Sequence, residues 1–187
     1  HEVLYIASGC RLPIVMAVAD RALSAPLSVW GDHSDAMATR DSGWIQVFAE
    51  NAQEAHDLTL WAFRVAEDPA VLFPVMVHID GFNLSHVTEP LYLVDKADVG
   101  EFIPPNKYPL PLHPDEPVTM GAFGPPFIYT EAKKAQEVAF ENTMPTILKG
   151  WQEFEQIAGR KYNPVETYRT DDAEVLLLTM GSLSETA

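Results

Sequence analysis

At 187 residues with 47 % apolar side chains, the chain is long enough to bury a core, as one domain or one and a fraction. Its formal net charge of −15 sets 27 acidic residues against 12 dispersed basic ones, which excludes the phosphate-neutralising cluster that nucleic-acid binding needs. No apolar run approaches the roughly 18 residues of a membrane span, and the single cysteine, Cys10, permits neither an internal disulfide nor a Cys-ligated cluster.

In chain order, His1–Tyr5 begins within a helical pattern, and Pro13–Ala19 follows as a continuous apolar run of strand length. That run stops at Asp20-Arg21-Ala-Leu-Ser, and a polar loop, Gly31-Asp-His-Ser-Asp35, comes next. Trp44–Ala49 reads as a second strand. Asn51 then stands three residues before Glu54, a capping-box spacing that satisfies two backbone donors at a helix start. The helix it opens puts Ala55, Leu58, Ala62 and Val65 on one face and directs Glu54, Asp57, Arg64 and Glu67 elsewhere. Trp61 and Phe63 flank that stripe as core or subunit-contact residues. Phe73–Ile79 is a third strand, without polar alternation like the first, the pattern of strands covered on both faces. The succession predicts an α/β fold, a mostly parallel sheet with flanking helices.

Nine of the fifteen prolines fall between Val87 and Phe127, and proline both lacks a donor and disfavours helix at the residue before it. Residues 87–127 are therefore predicted to be an irregular arm, of a length that fits wrapping a neighbouring subunit. Helix returns from Thr130 to Ala158, with a break at Met144-Pro145, a stop at Gly159, and Trp151, Phe154 and Ile157 as an apolar stripe. Glu174–Met180 reads as a strand, followed by Gly181 and a Ser182/Glu185 capping box. The polar connection from Asn163 to Asp172 marks a boundary. It divides the chain into residues 1–163, holding the arm (87–127) and the long helices (130–158), and residues 164–187, a linker with the first βα unit of a second domain.

Ligands of open α/β sheets sit beyond the carboxyl ends of the strands, so Arg21 occupies an informative place. A guanidinium is planar, permanently charged and offers paired donors to a carboxylate or phosphate. Equally, Arg21 can serve as a structural ion pair with Asp20, Asp32 or Asp35. His33 can donate to a substrate oxygen or exchange a proton near neutral pH, while the loop around it can cap itself through local hydrogen bonds. His78-Ile-Asp80 alternates along a strand, and with Asp32, His33 and Asp35 it could form the divalent-metal site of a hydrolase. The plainer alternative buries His78 against a neighbouring carbonyl and uses Asp80 to cap the turn at Gly81. No Gly-rich phosphate loop and no nucleophile elbow is present.

Taken in order, Leu12-Pro-Ile-Val-Met-Ala-Val, Arg21-Ala-Leu-Ser, Trp30-Gly-Asp-His-Ser-Asp-Ala-Met, Ser42-Gly-Trp-Ile-Gln, Asn51-Ala-Gln-Glu-Ala, Pro74-Val-Met-Val-His-Ile-Asp-Gly-Phe82 with Ser85-His86, and Gly159-Arg-Lys-Tyr span nearly the whole chain. In that order and spacing they resemble the alpha subunit of pyruvate:ferredoxin oxidoreductase and its relatives among the 2-oxoacid:ferredoxin oxidoreductases. The resemblance implies a thiamine-diphosphate-binding fold of the pyrimidine-domain type. It also implies oxidative decarboxylation of a 2-oxoacid, most readily pyruvate, to an acyl-CoA, with electrons passed to ferredoxin. Thiamine diphosphate with Mg2+ would be shared with a partner subunit, and the protein would orient the cofactor and fix the substrate's charge. Iron–sulfur clusters would sit in partner polypeptides and none in this chain, among beta, gamma and delta subunits, in a cytoplasmic hetero-oligomer. Residue by residue, the resemblance gives Arg21 the 2-oxoacid carboxylate and leaves His33 as a second substrate contact. It further implies a fold incomplete at both ends, inactive alone, with the pyrimidine-contacting glutamate lying outside the segment rather than at Glu2 or Glu50. The alternatives are the metal-dependent hydrolase built on Asp32, His33 and His78, and a noncatalytic assembly subunit.

Overall fold

A computed structural model describes all of residues 1–187. Helix α1 (Glu2–Gly9) leads into strand β1 (Val15–Asp20), a single turn α2 (Ser34–Met37), strand β2 (Ile45–Phe48), helix α3 (Ala52–Ala66) and strand β3 (Val75–Asp80). Helices α4 (Lys96–Phe102), α5 (Pro126–Glu141) and α6 (Met144–Ala158) follow, then a 3-10 turn at Gly181–Leu183. The three strands are parallel in the order β1-β3-β2, with Val15 and Ile45 both opposite Val75. Asp20 lies opposite Asp80, so two carboxylates end adjacent strands at the same edge.

The α/β architecture with a parallel sheet is as the sequence predicts, with one difference in how the strands are covered. Central β3 is buried along nearly its whole length, whereas β1 leaves Met16, Ala17 and Ala19 exposed. An apolar run thus identifies the strand without saying whether a layer covers each face.

The main core lies between the sheet and the pair α3/α6. Trp61 stacks on Trp151 with centroids 4.6 Å apart and planes 6° from parallel. Gly150 lets the helices approach, since a Cβ there would stand 3.0 Å from Val65 Cγ2 and 3.1 Å from Trp61 Nε1. Trp61 is therefore a core residue, while Phe63 stays exposed. A smaller cluster of Ala7, Trp44 and Met76 sits under α1.

The cap of α3 forms with a shift of one position. Asn51 Oδ1 accepts from the Glu54 N–H at 2.9 Å, and the Glu54 carboxylate accepts from the Glu50 N–H at 2.8 Å, one residue before the cap. Asp57, predicted to point away from the core, is instead fully buried. Arg160 beyond α6 reaches its carboxylate from Nε at 2.6 Å and Nη2 at 2.9 Å, and the Tyr162 hydroxyl donates at 2.7 Å. Helical spacing located the apolar stripe but could not reveal a cation brought from 103 residues away.

The proline-rich stretch is irregular except for the first residues of α5 and for α4, about two turns of helix that the density of prolines conceals. Its own sequence explains it: Asp95 caps by accepting from the Ala97 N–H at 2.8 Å, and the next proline, Pro104, comes only after the helix ends. Phe102 from α4 packs edge-on against Phe154 of α6, and Tyr92 exchanges hydrogen bonds with Gln53. The long helical region is two helices broken at Asn142–Thr143; α5 begins with Pro126 in its first turn, and α6 ends on a left-handed Gly159 with φ 66°.

The strand predicted at 174–180 is not formed. Val175–Leu178 are exposed and irregular, and a strand requires a neighbour's hydrogen-bond ladder, which nothing supplies here. The Ser182/Glu185 capping box is also absent. Ser182 binds Asp80, and Glu185 accepts from Asn51 Nδ2 at 2.6 Å.

Candidate functional site

At the carboxyl edge of the sheet, β1 ends in Asp20, β3 ends in His78-Ile79-Asp80, and the loop from Arg21 to α2 crosses above them. Asp20 and His78 are almost completely buried and share a 2.8 Å contact between Oδ1 and Nδ1. Asp20 Oδ2 and His78 Nε2 have no partner. Burial pushes the Asp20 carboxyl upward, against the opposing hydrogen bond to His78.

His33 forms a second pair, its Nε2 lying 2.9 Å from Asp80 Oδ1. The other oxygen, Oδ2, accepts the Ser182 N–H at 2.9 Å and the Ser182 hydroxyl. Burial opposes ionisation of Asp80, but the hydrogen bonds from Ser182 and His33 outweigh it and hold the carboxyl below its ordinary range. Phe48 lies between the pairs, stacked on His78 at 4.4 Å and edge-to-face with His33 at 5.2 Å.

Arg21 follows β1 directly. Its guanidinium is exposed, forms no ion pair, and makes only a 3.4 Å contact with the Ala22 carbonyl. The structural ion pair offered as an alternative for Arg21 is thus not made to Asp20, Asp32 or Asp35. Asp20 is committed to His78, and Asp32 accepts from the Ser34 N–H at 2.7 Å. Asp35 accepts from the backbone N–H of Arg21 at 3.0 Å, while Ser34 Oγ accepts from the Leu23 N–H at 3.2 Å. These two bonds bring the Arg21 loop and the His33 loop to the same edge. Neither Arg21 nor His33 lines the cavity of about 1070 Å3 that lies between β2, α3, α6 and the C-terminal segment.

The same geometry bears on the metal alternative. His33 and His78 bind different aspartates, Asp32 caps its own loop, and no group of three or more His, Cys, Asp or Glu side chains is assembled as a metal would require. His78 Nδ1 pairs with a carboxylate rather than a carbonyl, and the Asp80 side chain holds His33 and Ser182 rather than the turn at Gly81. Sequence reasoning missed both Asp–His pairs as pairs. The available signal was the position of Asp20 and Asp80 at equivalent strand ends; the strand pairing then sets Asp20 diagonally beside His78, and the loop before α2 brings His33 to Asp80.

The sequence model of the family described as "Pyruvate flavodoxin/ferredoxin oxidoreductase, thiamine diP-bdg" matches residues 1–149. The chain belongs to this family. Among curated relatives in the pyruvate flavodoxin/ferredoxin oxidoreductase group, it is 50 % identical to "Pyruvate synthase subunit PorA" of Pyrococcus abyssi over the whole of this chain and 47 % of the relative. It is 48 % identical to the protein of that name from Thermotoga maritima, again over the whole chain and 48 % of the relative. A "Ketoisovalerate oxidoreductase subunit VorA" from Pyrococcus abyssi is 40 % identical over the whole chain and 47 % of the relative. The chain thus spans about half the length of the curated relatives it matches. No helix is long and apolar enough to cross a membrane.

Proposed function

We propose that this chain is part of the alpha subunit of a thiamine-diphosphate-dependent 2-oxoacid:ferredoxin oxidoreductase, with pyruvate as the 2-oxoacid. The observation that carries the proposal is Arg21, an exposed guanidinium without an acidic partner at the carboxyl end of a parallel strand, in a chain of net charge −15. Near so many carboxylates, a cation left unpaired is available to an anionic ligand. Its forked donors suit a carboxylate held by two parallel hydrogen bonds. The family's description names thiamine diphosphate, and relatives named for pyruvate and for ketoisovalerate both act on 2-oxoacids by those names.

The donor set supports a division of labour. In this reading the diphosphate and its Mg2+ are shared with a partner subunit. The side chains at this edge suit the pyrimidine and substrate end. When bound, thiamine diphosphate supplies the electron sink for loss of carbon dioxide. Arg21 holds the 2-oxoacid carboxylate, His33 tunes a proton transfer at the substrate, and Phe48 walls the site. In this reading the iron–sulfur clusters lie in partner polypeptides, among beta, gamma and delta subunits, and ferredoxin and coenzyme A are partners of the complex. The complex is placed in the cytoplasm, a reducing setting suited to the free thiol of Cys10 and to such clusters. Residues 164–187 are read as the opening of a second domain, and the proline-rich arm as a contact with a neighbouring subunit.

The test is the purified multisubunit complex, assayed for viologen reduction with a panel of 2-oxoacids. Arg21→Ala is expected to lower kcat/KM for pyruvate by about 10- to 100-fold, the loss of charged hydrogen bonding worth about 1.5–3 kcal/mol. Unchanged kinetics for that variant would remove the assigned role. A native complex devoid of thiamine diphosphate would favour the noncatalytic assembly reading.

A further inference from the structure

We propose that Asp80 is a positioning residue for His33: it fixes the imidazole tautomer whose accepting nitrogen, Nδ1, is open on the loop tied to Arg21. The proposal rests on the reading of this edge as the 2-oxoacid site.

The tautomer follows from the partners. Ser182 occupies Asp80 Oδ2 with two donors, leaving Oδ1 for His33. An ionised carboxylate only accepts, so Nε2 must carry the proton and the neutral ring presents its lone pair at Nδ1. Nδ1 has no hydrogen-bond partner in the chain and is not among the buried polar atoms left without one, so it is open to solvent. The ring is 19 % exposed overall, and Phe48 abuts it at an interplanar angle of 73°. The second pair decides which histidine can act. His78 is 1 % exposed and its unpartnered Nε2 is enclosed, so His33 alone of the two can meet a ligand.

The backbone also approaches Asp80 closely, where only glycine fits. A Cβ at Gly181, where φ is +71°, would stand 2.5 Å from Asp80 Oδ1, and one at Gly31 would stand 3.2 Å from Asp80 Cβ. The C-terminal segment therefore helps set the orientation of an imidazole at the far edge of the sheet. The charged or titratable groups around it are Asp32 and Asp35 on its own loop, Asp20 and Arg21 at the end of β1, and His78 behind Phe48; the C-terminal segment contributes only the neutral Ser182.

The experiment uses the intact complex with His33→Gln, Asp80→Asn and Ser182→Ala. Two readouts are the pH profile of kcat/KM for pyruvate and deuterium exchange at the His33 ring C2–H against pH, followed by mass spectrometry. Asp80→Asn is expected to lower kcat/KM at least tenfold and to move the acidic limb of the profile to lower pH, because a charge that stabilises imidazolium is gone. His33→Gln removes that limb, and the double variant is no worse than His33→Gln alone. Ser182→Ala, the milder variant should Asp80→Asn fold poorly, removes only the hydroxyl donor to Oδ2, leaves the carboxylate charged, and moves the limb by less and the opposite way, to higher pH. Additive losses with an unmoved profile overturn the proposal. If the wild-type complex turns over no 2-oxoacid, the underlying reading fails separately, and the change in the His33 exchange midpoint between wild type and Asp80→Asn still reads whether Asp80 acts on the imidazole. An identical midpoint in wild type and Asp80→Asn overturns the proposal.

Discussion

Replacing Asp57 by Asn should reveal how much the fold depends on one buried carboxylate. Asp57 receives two bonds from Arg160, one from the Tyr162 hydroxyl, one from Gln53 Nε2 at 3.1 Å, and a 2.8 Å contact with His56 Nδ1. An asparagine keeps the shape but offers one accepting oxygen and turns an NH2 toward groups that themselves donate. Breaking a buried ion pair typically costs about 3–5 kcal/mol. The Arg160 side chain is 26 % exposed and can regain water, so the lower end, about 3 kcal/mol, is the expected loss. With a urea slope of about 2 kcal/mol/M, the unfolding midpoint falls by about 1.5 M.

Its pH dependence has a fixed sign. Burial alone would raise the Asp57 carboxyl, but the bonds from Arg160, His56 and Tyr162 outweigh it and hold the carboxyl below its ordinary value. A carboxyl depressed on folding stabilises fully above its unfolded pKa, near 4, and loses that contribution as pH falls through the folded value. The difference between wild type and Asp57→Asn should thus be complete near neutrality and shrink in acid. Urea titrations of both chains across that range measure it. A neutral-pH loss under about 1 kcal/mol at unchanged slope, or parallel pH curves, would refute the reasoning.

Two further substitutions probe close approaches. Gly150→Ala pushes a methyl against Val65 and Trp61 between stacked α3 and α6, and should cost about 1–3 kcal/mol in chemical denaturation. Gly181→Ala places a Cβ on the Asp80 carboxylate at a left-handed backbone position, and should free the C-terminal turn. Limited trypsin digestion would then cut after Arg169 faster than in wild type, while α3 and α6 remain intact; an unaltered cleavage rate would count against the Ser182–Asp80 latch.

The sequence by itself determined the elements whose causes are local. Unbroken apolar runs gave β1 and β3, the Asn51/Glu54 spacing gave the start of α3, and Gly159 gave the end of α6, because each depends on groups within a few residues. Proline density correctly marked most of 87–127 as irregular yet hid α4, whose cap at Asp95 acts over two residues. The order and spacing of short segments were enough to suggest the family. Only tertiary structure decided the rest. The pairing of β1 with β3 set Asp20 diagonally beside His78, a long return of the chain delivered Ser182 to Asp80 and Arg160 to Asp57, and the lack of a neighbouring ladder left Val175–Leu178 without a sheet. A buried charge or a strand is made by its partner, and a partner 58, 102 or 103 residues away leaves no mark in the spacing around either residue.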